Sequence, residues 1–426
     1  MQNIITLKNA MKEGAWDKRL MELYVDEALL PYHTDRYIKA IERFETLFPD
    51  EKQVELYSAP GRSEVCGNHT DHQNGMVLAT SINLDAVAVV AKTDDSIIRL
   101  VSDELPMETV DVSDLEQKES ELTTTTALIR GVAAGLSERG YQVGGFKAFV
   151  TSDVLMGAGM SSSAAFESLI GTILSGLYNE MKVSMTEIAQ IGQFAENIYF
   201  GKPCGLMDQM ACSVGGMIYI DFEDKKKPVV KQVQTDFEKA GLSLCIVDTK
   251  GSHADLTPDY AAVPEEMKQV ARCMGKEVLR QIPKDEFYAA VPKLWKETSG
   301  RAILRAIHFY EEEERVLRGG QTLERSDYEG FLQVIQKSGD SSAKYLQNIY
   351  SPKHADSQNV TVALAVSESL LQDKGVCRVH GGGFAGTILA FVKNEAVDEY
   401  QRNMEAIFGK GSCHVLKVRL LGGVRV

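Results

Sequence analysis

Two domains, each mixing strands with helices, are what this chain predicts. Three observations lead there. At 426 residues it exceeds what one typical hydrophobic core organises. Segments with strand-like apolar runs and segments with helical spacing alternate along its whole length. A strand-like stretch, FKAFVTSDVLM, runs into a glycine-serine loop and then a helical pattern, a unit that mixed folds use to bind anions. No repeat or long linker is visible. The boundary is expected between residues 210 and 240, giving a first domain of residues 1–220 and a second of 221–426.

Composition bounds the function. With 44% hydrophobic and 25% charged residues the chain is an ordinary globular protein, and no apolar run is long enough to span a bilayer. A net charge of −14 argues against general binding to nucleic acid or to an acidic membrane, although a local phosphate site remains compatible with it. The first twenty residues lack the apolar core of a signal peptide and read as a short amphipathic helix, so a cytoplasmic location is expected. Seven scattered cysteines without a C-x-x-C pair imply reduced, mostly buried thiols, and neither a disulfide framework nor a zinc site.

In chain order, residues 15–50 read as helical and residues 55–67 as a strand broken by Pro60 and Gly61. HTDHQNG is a polar loop; VLATSINLDAVAVVAKT and IIRLVSDE are strands; PMETVDVSDLEQKESE is a polar connection. Residues 123–139 form a helix entered through threonines, and 184–200 a helix with a serine cap and a glutamate three residues on. KKKPVVK is a solvated hairpin end, LSLCIVDT a buried strand, and residues 286–350 mainly helical. CRVHGGGFAGTILAFV is a glycine-rich turn entering regular structure, and HVLKVRL is a last strand.

Four places combine polar chemistry with a permissive backbone. In GAGMSSSAAFE (157–167), Gly157 and Gly159 free the backbone to lie against a ligand, and the three serines open a helix whose unpaired N–H groups favour phosphate. No lysine follows the last glycine, so this is not a Walker loop. Between Gly61 and Gly75, Arg62, Asn68, His69, Asp71, His72, Gln73 and Asn74 supply the density of donors and acceptors that a polyol requires. Glu196 and Asp208 lie twelve residues apart across a glycine-proline turn. A carboxylate there could hold magnesium, and Asp208 is either a buried base or a satisfied structural acid; the local pattern does not choose. In His380–Gly386 the glycines allow close approach of a ligand or a second loop.

Taken in order, APGR…HTDHQNG, MGAGMSSSAA, GKPCGLMDQ and HGGGFAG resemble the signature segments of the GHMP small-molecule kinases, and specifically the galactokinase branch, over roughly residues 57–426. The resemblance implies a two-domain α+β fold: an N-terminal domain like ribosomal protein S5 domain 2, a ferredoxin-like C-terminal domain, and an active site between them. It implies an ATP- and magnesium-dependent sugar-1-kinase whose partners are a small sugar and ATP. By position, Gly157, Gly159, Ser161, Ser162, Ser163 and Ala164 would cradle the phosphates, and Ser163 and Glu196 would hold magnesium. Asp208 matches the catalytic aspartate and Arg62 the arginine facing it. Asn68, His69, Asp71 and Tyr260 fall where the family contacts its sugar.

Three departures accompany the match. Tyr260 is not followed by the family's Asn-Glu-Arg-Arg, Thr125 stands where a tryptophan usually meets the nucleotide base, and Asn68 replaces a glutamate that accepts from the sugar's C6 hydroxyl. The last change removes a charge that would repel a C6 carboxylate, which makes a galacturonate kinase the nearest alternative. A non-catalytic sugar sensor on the same fold is the alternative of a different class.

Overall fold

The computed structural model describes residues 1–154, 159–251 and 256–426. Its larger sheet has nine strands, with the central order Gln2–Asn3, Gln53–Cys66, Met76–Lys92, Phe146–Ser152, Ile97–Ser102 and Glu108–Asp111. All pairings in it are antiparallel except that of Ile97–Ser102 with Phe146–Ser152.

Alternation along the central strand sorts its two faces. Ala86, Ala88 and Val90 pack under the helices Thr125–Glu138 and Ser162–Asn179, against Ile129, Ile170 and Leu174. Val87, Val89 and Ala91 point the other way, onto Tyr37, Ile41 and Phe44 of Leu30–Leu47. The sheet is thus buried on both sides, with the N-terminal helices forming the second cover.

The smaller sheet has four antiparallel strands in the order Gly375–Val379, Thr387–Lys393, Leu242–Asp248, Cys413–Leu416. In chain order this is second, third, first, fourth, the arrangement expected of a ferredoxin-like domain. One face, with Cys245, Val247, Ile388 and Ala390, lies under the helices Asn359–Leu371 and Val397–Phe408. The other face contributes Leu244, Ile246, Leu389 and Phe391 to a core shared with Val65, Leu78, Met160, Ala164 and Ala165 of the larger sheet's side. The start of the serine helix is therefore seated on the junction between the two sheets.

Several local expectations are refined. The strand through Pro60 and Gly61 is continuous over Gln53–Cys66, with its register shifted between Pro60 and Arg62 and again between Glu64 and Cys66. The missing proline N–H falls at the first irregularity, so the ladder survives it. The polar connection after residue 105 contains a strand, Glu108–Asp111, which buries only Val110 and so shows little apolar alternation in sequence. The 184–200 helix is α-helical over Met185–Phe194, with its Ser184–Glu187 capping box in place, and π-helical over Ala195–Phe200. All seven cysteines are free thiols. Among the described residues no helix is long and apolar enough to cross a membrane.

Candidate active site

The first polar segment is a loop closed on itself. Gly67, at φ 104°, leaves the end of Gln53–Cys66 so close to the next strand that a Cβ would sit 2.7 Å from Met76 O. The Thr70 hydroxyl donates to Gly67 O (2.8 Å) and Met76 O (2.6 Å), drawing the two stems together around a short helical turn, Thr70–Gln73. His69 and Asn74 flank that turn in the left-handed region.

Arg62, four residues before Cys66, projects from the strand onto Asp208 in the first turn of Met207–Val214. The pair is bidentate: Nε to Oδ1 and Nη2 to Oδ2, each at 2.7 Å. Arg62 Nη1 donates to the carbonyl of Gly159, and the Ser161 hydroxyl donates to Asp208. Burial pushes the Asp208 carboxyl up, but the Arg62 guanidinium, with hydrogen bonds from Arg62 and Ser161, outweighs it and holds the group below its ordinary value. The Asp208 side chain keeps 32% of its exposure against 8% for Arg62, so the carboxylate is backed by the arginine and open in front.

Ser161 adopts a left-handed conformation before Ser162–Asn179 and makes no capping bond to that helix, its hydroxyl being engaged by Asp208. The helix N-terminus is therefore left without a side-chain cap, as an anion site requires. At the second position of that helix, the Ser163 hydroxyl donates to Glu196 Oε1 at 3.2 Å. Glu196 lies in the π-helical turn that ends at Gly201, and its Oε1 also takes Lys202 Nζ at 3.1 Å. Gln209 Nε2 bridges Glu196 Oε2 (2.8 Å) and Glu167 Oε2 (3.0 Å). Burial, with Glu196 nearby, drives the Glu167 carboxyl well up, toward the neutral acid.

Two close approaches complete the site. Gly205 packs on Asp71 so tightly that a Cβ would lie 2.1 Å from Asp71 Oδ2, which joins the first segment to the third. The glycine turn lies over the first segment: His69 Nε2 meets Gly382 O at 3.0 Å, Asn68 Nδ2 donates to Gly381 O at 2.6 Å, and the Tyr260 hydroxyl donates to Gly383 O at 2.7 Å. Burial, reinforced by neighbouring His72, lowers the His69 pKa to about 4, so its ring is neutral.

The structure thus brings together Arg62, Asn68, His69, Asp71, Ser161, Ser163, Glu196, Asp208 and Tyr260, with Gly159, Ser162 and Ala164 beside them. Gly157 lies outside the described residues. Asn68 is held differently from what its position suggests. It is fully buried, its Nδ2 also donates to both oxygens of Glu64 at 3.1 Å, and its Oδ1 accepts from Asn348 Nδ2 at 2.7 Å. Glu64 is paired in turn with Arg378 at 2.8 Å. Sequence reasoning missed Glu64, Glu167, Lys202 and Gln209. Glu167 stands four residues after Ser163, hence on the same helix face, and Gln209 adjoins Asp208; those spacings were the available signal.

Residues 42–92 match the galactokinase galactose-binding signature and residues 127–216 the GHMP kinases N-terminal domain. A galactokinase of Streptomyces coelicolor is 30% identical over 370 residues, covering 86% of this chain and 92% of that protein. The chain belongs to the galactokinase family. A second relative, the galactokinase of Thermotoga petrophila, is 29% identical over 353 residues, covering 81% of this chain and 93% of its own. Among solved structures, Lactococcus lactis galactokinase complexed with galactose superposes with a TM-score of 0.77 at 23% identity, covering 90% of this chain and 98% of that one. The Methanococcus jannaschii mevalonate kinase follows the same fold more loosely, with a TM-score of 0.60 at 15% identity over 86% of this chain and 98% of its own. This family member is a sugar kinase of the two-domain α+β type expected from its motifs.

Proposed function

We propose that the protein transfers the terminal phosphoryl group of ATP to the anomeric hydroxyl of D-galactose, giving galactose 1-phosphate. The observation that carries this reading is the Arg62–Asp208 pair, an ionised carboxylate open on one side between the serine loop and the His69–Asp71 loop. The galactokinases that the chain resembles and its match to the galactose-binding signature support the choice of sugar.

Asp208 takes the proton of the anomeric hydroxyl, and Arg62 keeps the base ionised and steadies the oxyanion as it forms. The uncapped start of Ser162–Asn179, with Gly159 and Ser161–Ala164, receives the phosphates. His69, Asp71 and Tyr260 orient the sugar, and Asn68 acts by holding the loop to the glycine turn. Positioning and charge stabilisation are what phosphoryl transfer asks of a protein. Residues 1–220 carry the sugar loop, the serine loop and Asp208; residues 221–426 carry Tyr260 and the glycine turn. The strands Val229–Val233 and Val424–Arg425 return from that second part to the larger sheet. Seven free thiols suit a cytoplasmic place of work.

The residues present fit magnesium as the usual companion of ATP. Ser163 and Glu196 offer hard oxygens, and Glu196 is almost fully buried beside a second carboxyl, Glu167, one of whose oxygens has no partner. Among the described residues no three His, Cys, Asp or Glu side chains converge as a metal site, so the remaining ligands would be phosphate and water. When bound, the ion would neutralise charge on the transferring phosphates. Ser163→Ala is expected to raise the Mg²⁺ concentration for half-maximal activity several-fold and to weaken Mn²⁺ binding to the ATP complex by a similar factor. Galactose binding without nucleotide should be unaffected. Unchanged metal dependence would remove Ser163 from the ion's ligands.

The deciding experiment is ATP turnover with galactose, galacturonate, glucose and N-acetylgalactosamine, with the product identified. Galactose is expected to be the best substrate, phosphorylated at C1. Binding of galactose without turnover would favour a sensor. The galacturonate alternative rested on Asn68 facing the sugar's C6 group, but Asn68 is fully buried, with its amide held by Glu64, Gly381 and Asn348. That alternative loses its motive.

A further inference from the structure

The loop Gly67–Gly75 is gripped from behind by a single helix of the second part of the chain, Gly300–Glu324. His308 Nε2 donates to Asn68 O at 3.0 Å, Glu312 Oε1 accepts from Gly67 N at 2.9 Å, and Glu313 Oε1 accepts from Met76 N at 2.6 Å. All three contacts reach main-chain atoms, at both stems of the loop, and all three side chains are buried. His308 and Glu312 are four residues apart and so share one face of the helix.

Each of these side chains is itself held. His308 Nδ1 accepts from Ser341 Oγ at 2.9 Å, and Glu312 Oε2 accepts from Arg315 Nε at 2.6 Å. Glu313 is bonded by Arg280, which also reaches Asp221 at 2.8 Å. Because a carbonyl can only accept, the proton of the imidazole belongs on Nε2. Burial keeps that ring neutral, with its pKa lowered to about 4.

The loop needs such support. Gly67, His69 and Asn74 all have positive φ, a conformation that side-chain-bearing residues resist. His69 directly follows the carbonyl that His308 holds, and Asp71 is two residues further on.

We propose that His308 and Glu312 are positioning residues for the sugar, setting the height and rotation of His69 and Asp71 by gripping the main chain of Gly67 and Asn68. This rests on the reading of that loop as the galactose site. It assigns to a helix without direct contact with substrate a share of galactose affinity that ATP binding does not see.

The test is the split of Michaelis constants in His308→Leu, His308→Gln and Asp71→Ala. His308→Leu should raise KM for galactose about tenfold while KM for ATP and kcat stay within about twofold, a loss of about 1.4 kcal/mol in sugar affinity. His308→Gln, whose amide can donate to the same carbonyl, should recover most of it. A rise shared equally by both substrates, or no rise, overturns the proposal. Asp71→Ala separates the two ways of failing. If it raises KM for galactose and His308→Leu does not, the positioning role is wrong. If Asp71→Ala has no effect, the loop is not the sugar site and the proposal falls with that reading. Should His308→Leu fail to fold, Ser341→Ala releases the far side of the ring; a selective rise of about threefold is then expected, and its absence overturns the role.

Discussion

Asp208→Asn should lower kcat about a hundred- to ten-thousand-fold while leaving the galactose dissociation constant within about threefold. The substitution nearly conserves volume, and one amide oxygen can still accept from Arg62 or Ser161, so the two-sided anchoring at 2.7 Å is weakened without being emptied. What disappears is the capacity to take a proton from the sugar hydroxyl. A purely structural acid would behave otherwise: its loss would reduce thermal stability and affect sugar binding and turnover together. Isothermal titration with galactose, set beside steady-state rates at saturating ATP, distinguishes the cases. A variant with near-normal kcat would show that Asp208 is not the base.

Much of this site was legible because its chemistry is local in sequence. Arg62 and His69–Asp71 lie within one strand and the loop after it, and the serine loop announces a helix start by its spacing. The ferredoxin-like sheet was legible only through family resemblance, since its first and second strands, Leu242–Asp248 and Gly375–Val379, are separated by more than a hundred residues, most of them helical. Asn68 shows where reading from sequence stops. Its substitution for a glutamate looked like a change in what meets the ligand, yet its amide is engaged by Glu64, Gly381 and Asn348. Two of those partners come from distant parts of the chain and cannot be seen in a motif. Introducing a glutamate there would set a second buried carboxylate beside Glu64, so Asn68→Glu is now a test of that network as much as of the sugar. The helix holding His308 and Glu312 was legible as a helix, but nothing in its run of glutamates signals that Glu312 and Glu313 are buried against the loop stems. Burial of a glutamate-rich face depends on donors supplied elsewhere, here the main chain of Gly67 and Met76.

Arg62→Gln should move the acid limb of kcat/KM for galactose upward in pH. Two opposing influences set the Asp208 carboxyl in the intact protein: burial raises it, and Arg62 with Ser161 lowers it further than burial lifts it. A depressed pKa means that the base stays ionised as pH falls until the solution passes below the ordinary carboxylate range, so the native profile should show no acid limb from Asp208 near neutrality. Removing the guanidinium leaves burial opposed only by the weaker partners, and the pKa rises. The open face of Asp208 admits water, which screens the pair and limits the rise. The sign also applies to stability. A carboxylate with a depressed folded pKa stabilises the fold above its unfolded pKa, and that contribution is lost as pH falls through the folded value, so Arg62→Gln should flatten this part of the acid unfolding curve. Profiles must be taken at saturating MgATP, so that protonation of the nucleotide does not imitate the limb. Superimposable acid limbs in the native and Arg62→Gln proteins would mean that Arg62 does not tune the base, and that its bidentate bond serves only to orient Asp208.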